Sequence, residues 1–315
     1  MIAADGSGRP ARPQIAWRDL DGILLLDKPR GLSSNAALQH VRRLYRARKA
    51  GHTGSLDPLA TGLLPVCFGQ ATKISGLLLD ADKGYVATLA LGSATTTGDT
   101  EGEVVERAAV PRLDVPTVER AMAGFLGTVA QRPPMYSALK HQGERLYALA
   151  RRGVEVERPA RPVVIRALRL VALGDGCLEF EVHCGKGTYV RTLGEDLARA
   201  LGTVGHLAAL RRTRFGPFDG RPLVPLAELE SALDGGDAAL DALLIPVDAA
   251  LGGDPPVSVG AEAALCVRHG QAVAVAAPAG RRVRIYGPDG VLLGLGQASA
   301  DGATVAPVRL LTDAA

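Results

Sequence analysis

The sequence is sparing in aromatic residues and cysteine, and it has no long apolar run. Phe, Tyr and Trp make up only 4% of 315 residues, with one Trp, so few positions can offer a flat ring to a ligand. The four cysteines, Cys67, Cys177, Cys184 and Cys266, form no CxxC pair, which excludes a zinc ribbon or thiol-redox motif of that spacing. Each reads as a small buried apolar residue in a reducing compartment. No uncharged apolar run reaches the ~18 residues of a membrane helix, and the charge-free stretch 58–72 is broken by Gly and Pro. Residues 1–20 lack the apolar centre of a secretory signal and read as a disordered tail on a cytoplasmic protein. With no glycine-rich nucleotide motif and no metal-ligand cluster, neither a cofactor nor a metal is expected.

What is present suits a folded chain of about two domains: 47% hydrophobic and 22% charged residues can supply a sizeable core. The net charge of +3 says little, but its distribution says more. Residues 9–49 hold ten Lys/Arg against three Asp, and 131–162 hold seven Lys/Arg against three Glu. Residues 250–315 balance five against five. A polyanion would meet the first two segments; a solvated basic face is the plainer reading.

Along the chain, 22–27 (GILLLD) reads as a buried strand. Ser33 or Ser34 can cap a helix with Leu38, Val41, Leu44 and Tyr45 on one face and Arg42, Arg43 and Arg46 on another, closed by Gly51. The Gly- and Pro-punctuated run 51–69 looks too broken for a regular element. A strand at 85–92, a polar loop at 93–105, a short helix at 116–126 and a basic insert at 131–153 follow. Strands at 161–173 and 177–184, a helix over 188–201 and a strand ending at Arg214 come next. A Gly/Asp/Pro cluster at 234–256 reads as a linker to a small all-β module.

Five residues stand out chemically. Pro58 forces Asp57 out of helical geometry, and a carboxylate between Leu56 and Leu59 is either an Asp-Pro turn or a desolvated acid. Arg191, in the first turn of a helix, opposes the macrodipole; it is either solvated or paired with an anion, Asp57 and a phosphate both being candidates. Tyr85 is either a β-core aromatic or a ring for stacking on a base, and Tyr189 is the other candidate ring. His52, between Gly51 and Thr53, is a loop histidine that could also stack in RNA.

These residues lie in runs that together resemble one family. LLLDKPRGLSS (24–34) with GHTGSLDPLATGLLPVCFGQATK (51–73) is similar to the TruB family of tRNA pseudouridine synthases. So, in the same order, are DKGYVATLALGSATTTGDTEGEV (82–104), RPPMYSALKHQGERLYALARRGVEVERPARPV (132–163), CGKGTYVRTLGEDLARALG (184–202) and HLAALRRTRFGPF (206–218). The resemblance implies an α+β fold: a mixed, largely antiparallel sheet flanked by helices in a catalytic domain at 21–249. A small C-terminal β-barrel, PUA-like domain at 250–315 would follow.

The resemblance also implies an isomerase that converts the T-loop uridine, position 55, of tRNA to pseudouridine by base flipping, without a cofactor. Asp57 would be the catalytic aspartate, Arg191 its ion-pair partner and Tyr85 the ring under the uracil. Tyr189 and Leu210 would be cavity walls, and His52 a T-loop contact. Lys28 and Pro29 would buttress the active-site loop. The 131–162 insert would be an RNA-binding thumb presenting Arg132, Lys140, Arg145, Arg151 and Arg152. The partner expected is the tRNA T stem-loop, with no membrane and no obligate protein partner, and the chain is expected to be a monomer. Alternatives are a tRNA-folding chaperone and a synthase for another RNA; a pure chaperone would not need Asp57. Gly84, where relatives more often carry a larger residue, predicts a loose start to the Tyr85 strand.

Overall fold

The computed structural model describes residues 16–311; residues 1–15 of the expected tail lie outside it. The end of that tail, 16–20, is tied down rather than loose. The Arg18 backbone N–H donates to the Arg46 carbonyl at 2.7 Å, and its guanidinium pairs with Asp237 and Asp241. Arg42 lies 4.7 Å over the Trp17 ring.

The first half of the chain forms β1 (Gly22–Lys28), α1 (Ser34–Leu44), β2 (Ala50–His52), β3 (Thr61–Phe68), α2 (Ser75–Leu79) and β4 (Lys83–Leu91). A hairpin, β5 (Ser93–Thr95) and β6 (Val104–Arg107), follows, then α3 (Val115–Ala123) and β7 (Gly127–Gln131). The basic insert carries β8 (Lys140–His141), β9 (Glu144–Arg145) and α4 (Leu146–Arg151). Next come β10 (Arg161–Gly174), β11 (Cys177–Cys184), α5 (Val190–Ala200), β12 (Gly205–Phe215), β13 (Val224–Pro225), α6 (Leu226–Ala232) and α7 (Gly236–Asp241).

These elements build a nine-stranded sheet in the order β13-β1-β3-β12-β4-β11-β10-β7, with β2 paired to β3. Only β1–β13 and β3–β12 run parallel. The mixed, largely antiparallel sheet is thus as expected. Strand β1 shows why it forms: side chains alternate across a sheet, and this one is covered on both faces. Leu24 and Leu26 enter one core with Val41 and Tyr45 of the α1 face. Ile23 and Leu25 enter a second with Phe215, Phe218, Ala250 and Leu251. Burying each such side chain stabilises the fold by about 1.5–3 kcal/mol.

Several expectations need correction. The run 51–69 is not irregular, because it contains the core strand β3. Pro65 fits there because on that side the β3 ladder changes from β12, at residues 61 and 62, to β2, at 66–68. No partner needs an N–H from residue 65, while its carbonyl accepts from Thr53 N–H at 3.2 Å. Helix α1 ends at Leu44, before Gly51, and Arg46 makes the turn with a φ of 50°. The 93–105 loop includes β5 and the start of β6. The 234–256 cluster is no slack linker: Leu240, Ala250 and Leu251 are buried, and Ile245 exchanges backbone hydrogen bonds of 2.9 Å with Ile23. Gly84 does not loosen β4 either. A Cβ there would lie 2.9 Å from the Arg214 side chain, which fills the space and is held by Asp219 at 2.8 Å.

The C-terminal module contains β14 (Pro256–Ser258), α8 (Ala261–Arg268), β15 (Val273–Ala274), β16 (Arg282–Tyr286), β17 (Leu292–Ala298) and β18 (Thr304–Leu310). Its five strands, ordered β14-β16-β17-β18-β15, form a PUA-like half-barrel around Val267, Val283, Ile285 and Val305. Helix α8 was not anticipated in a stretch read as all-β. Leu295 and Leu311 reach into the second core of the large sheet and dock the module there. Among the described residues, no helix is long and apolar enough to cross a membrane.

Candidate active site

The loop between β2 and β3 carries Asp57, and its neighbours hold it on several sides. Ser33 caps α1, accepting from Ala36 N–H at 3.1 Å. That leaves Ser34 to clamp the loop: its hydroxyl donates to the Leu56 carbonyl at 2.9 Å and accepts from Leu56 N–H at 2.7 Å. Lys28 is fully buried, and its ammonium donates to the carbonyls of Pro29 at 2.9 Å, Leu32 at 2.6 Å and Pro58 at 3.5 Å. Burial lowers the Lys28 amine to about 8, with Asp57 opposing.

Arg191, at the start of α5, meets Asp57 across a long sequence separation. Its Nε lies 2.9 Å from Asp57 Oδ2 and 3.8 Å from Asp99 Oδ2. Its terminal nitrogens donate to the carbonyls of Thr97 at 2.6 Å and Tyr136 at 2.7 Å. A guanidinium only 5% exposed is thereby saturated with oxygen acceptors, whereas the Asp57 side chain keeps 40% of its surface. Burial by the surrounding protein pushes the Asp57 carboxyl above its ordinary 3.8; Arg191 opposes this and Asp99 adds to it.

Beside this pair lies a cavity of about 350 Å³, lined by Asp57, Tyr85, Tyr189, Arg191 and Leu210. Tyr85, 9% exposed, comes from β4 and Leu210 from β12. Tyr189 precedes α5 and is clasped by the Gln131 side chain, which accepts from its N–H at 2.7 Å and donates to its carbonyl at 3.0 Å. Burial raises the Tyr85 phenol, with Arg212 opposing. Five of the expected site residues therefore share one cavity.

Others lie elsewhere. His52 lines an adjoining groove of about 450 Å³, together with Asp57, Tyr136, Arg145, Tyr147 and Arg151. Burial, then Arg212, lowers the His52 imidazole below 6.5, leaving it neutral at pH 7. Of the basic side chains in the insert, Arg145 and Arg151 reach this groove and flank the Tyr147 ring at 6.0 and 5.6 Å. Arg152 is instead paired with Glu144 at 2.7 Å. Lys140 faces a separate small hollow with Pro133 and Arg158, and Arg132 is exposed.

Sequence reasoning missed Asp99, Gln131, Lys83 and Arg212. Lys83 and Arg212 carried a usable signal: side chains two apart on a strand share a face, so Lys83 goes with Tyr85 and Arg212 with Leu210. Asp99 and Gln131 lie in a polar loop and at a strand end, where no periodicity marks them.

A carboxylate beside a cavity of about 350 Å³ walled by tyrosine rings, on the central strands of this sheet, suits chemistry on a nucleoside. The class it defines is the pseudouridine synthases. In keeping with this, a chain in the crystal structure of a Cbf5-Nop10-Gar1 complex matches with a TM-score of 0.71 at 27% identity, covering 93% of this chain and 85% of that one.

The family description "TruB family pseudouridylate synthase (N terminal domain)" matches residues 42–190. "tRNA pseudouridylate synthase B C-terminal domain" matches 191–252, and "Pseudouridine synthase II TruB, C-terminal" matches 255–311. A relative named tRNA pseudouridine synthase B from Nitrosococcus oceani is 51% identical over 295 residues, 93% of this chain and 96% of that one. One of the same name from Burkholderia mallei is 50% identical over 311 residues, 96% and 98% of the two chains. The chain belongs to the TruB family.

Proposed function

We infer that the protein is a tRNA pseudouridine synthase whose target is the T-loop uridine at position 55. The reaction detaches uracil from C1′, turns it and rejoins it through C5; atoms are conserved, so the chemistry calls for no cofactor. Asp57 is the catalytic carboxylate and Arg191 keeps it ionised. Tyr85 lies under the uracil while Tyr189 and Leu210 wall it in. His52 contacts the T loop from the adjoining groove, and Lys28 with Pro29 buttresses the Asp57 loop. The observation that carries this reading is the Asp57–Arg191 pair, 2.9 Å apart, on the wall of a cavity shared with Tyr85 and Tyr189.

Extruding a stacked base costs a few kcal/mol. In this reading the insert at 131–162 supplies it by closing on the T stem-loop as a thumb, led by Arg145 and Arg151. The catalytic domain spans 21–249 and the PUA-like domain 250–315. The protein acts as a monomer in the cytoplasm.

The test is an unmodified tRNA transcript incubated with purified protein, with pseudouridine mapped by position. Wild type should modify position 55. Asp57→Asn should form no product while its tRNA affinity stays within severalfold of wild type. Pseudouridine formed by that variant would refute the assignment.

A further inference from the structure

The cavity beside Asp57 carries an imbalance of charge. Among its lining residues are three cations, Lys83, Arg191 and Arg212, and a single carboxylate, Asp57. Arg191 is accounted for by Asp57 and Asp99. Lys83 and Arg212 form no ion pair among the described residues, although they are 8% and 1% exposed. The Lys83 ammonium donates to the carbonyls of Leu79 at 2.7 Å and Ala81 at 2.6 Å. The acids nearest it in sequence are engaged elsewhere: Asp80 with Lys186 at 2.9 Å, and Asp82 with Arg166 at 2.6 Å. Arg212 donates to Leu63 O at 2.6 Å and Gly54 O at 2.8 Å, and it stands directly across the β4–β12 ladder from Tyr85. Both cations also lie over the Phe215 ring, at 4.9 and 5.1 Å, and Arg212 is within hydrogen-bonding reach of the Tyr85 hydroxyl. Neither has a counter-anion among the described residues, and two such buried positive charges on one cavity suit a ligand that becomes negative.

The reaction supplies that charge. When the N1–C1′ bond breaks, its electron pair stays on N1 and the base becomes a uracil anion, with charge shared over N1, O2 and O4. The Asp57 carboxylate is neutralised in the same stage, by bonding to C1′ or by taking a sugar proton. If it adds to C6 instead, the charge still passes to the base, at O4. Each route moves one unit of negative charge from Asp57 to the base. When C5 bonds to C1′ the carboxylate returns; the C5 proton leaves and N1 gains one, so protons balance.

We propose that Lys83 and Arg212 are the counter-charge for the detached uracil, stabilising the anion on the Tyr85 side of the cavity while it turns. This rests on the synthase reading above. It gives the two cations a task distinct from that of Arg191, which serves the carboxylate. Fixed charges aimed where charge develops, in a water-poor site, are an effective form of catalysis.

The expected effect is on rate and not on affinity. Single-turnover pseudouridine formation should fall on the order of 10²-fold in Lys83→Gln and in Arg212→Gln, with tRNA Kd within severalfold of wild type. Lys83→Arg should restore most of the rate that Lys83→Gln abolishes. Burial and Arg212 lower the Lys83 amine to about 8, opposed by Cys184, Asp80 and Asp82, so the wild-type rate should decline above that pH. The Cys184 thiol, pushed up to about 11 by burial, stays neutral there. In Lys83→Arg the decline should move upward. Lys28 is also lowered to about 8 but does not line this cavity, so a decline unchanged in Lys83→Arg assigns it to Lys28 and overturns the proposal.

Wild-type rates in the two Gln variants would overturn it equally, while a working wild type and an inactive Asp57→Asn leave the synthase reading standing. If Arg212→Gln melts, because two carbonyls lose their donor, the Lys83 variants decide the matter.

Discussion

At the scale of single residues, the site sets a charged carboxylate against its own fold. Asp57 is raised above 3.8 chiefly by burial, so folding favours its protonated form. A carboxyl raised in this way stabilises the protein while protonated and weakens it as pH rises through the folded-state value. Two outcomes follow. With Asp57 as the proposed catalytic carboxylate acting in its ionised form, the rate should fall on acidification at a pH above the ordinary Asp value; a rate profile flat down to about pH 4, the ordinary Asp value, would contradict this. Asp57→Asn should melt no lower than wild type at neutral pH in a calorimetric scan, while the proposed role of Asp57 predicts the loss of its activity. In the proposed role, stability and function are opposed at this one carboxyl group.

At the scale of elements, the placement of Asp57 depends on short contacts that sequence patterns barely register. Ser34 looks like a second capping residue, yet it makes both hydrogen bonds to Leu56. Ser34→Ala leaves two buried backbone groups unpaired and should cost about 1–3 kcal/mol in urea denaturation, with a larger proportional loss in activity. Gly62 is another such point. Its φ of +95° and its closeness to the Arg212 backbone leave no room for a Cβ. Gly62→Ala should therefore destabilise by roughly 2–4 kcal/mol by the same measurement.

Elements with a clean period were legible: β10, β11, α5 and β12 lie where alternation or a helical stripe put them. Strand β3 was not, because Gly62 and Pro65 signal a break. Only the neighbouring strands reveal that a close approach and an unused N–H make those residues suitable.

At the scale of the whole molecule, the basic insert and the charge-balanced C-terminal module have different electrostatic reach. Arg145 and Arg151 border the groove next to Asp57, whereas the module is held to the sheet by apolar side chains such as Leu295 and Leu311. Affinity for tRNA should fall linearly on a log–log plot against salt. Arg145→Gln with Arg151→Gln should make that slope shallower by about one for each phosphate the two arginines neutralise. An unchanged slope in the double variant would place the phosphate-binding side chains elsewhere.

The sequence by itself determined the family, the order of most elements, and the identity of Asp57, Tyr85, Tyr189, Arg191 and Leu210 as candidates. It could do so because those residues sit in long, ordered motifs, and because local periodicity and proline geometry act within a few residues. What only the tertiary structure decided was proximity. Arg191 pairs with Asp57, Ser34 and Lys28 hold the loop, and Lys83 and Arg212 join the cavity. These pairings link segments far apart in the chain, set by sheet register and packing, and no local pattern encodes a distance.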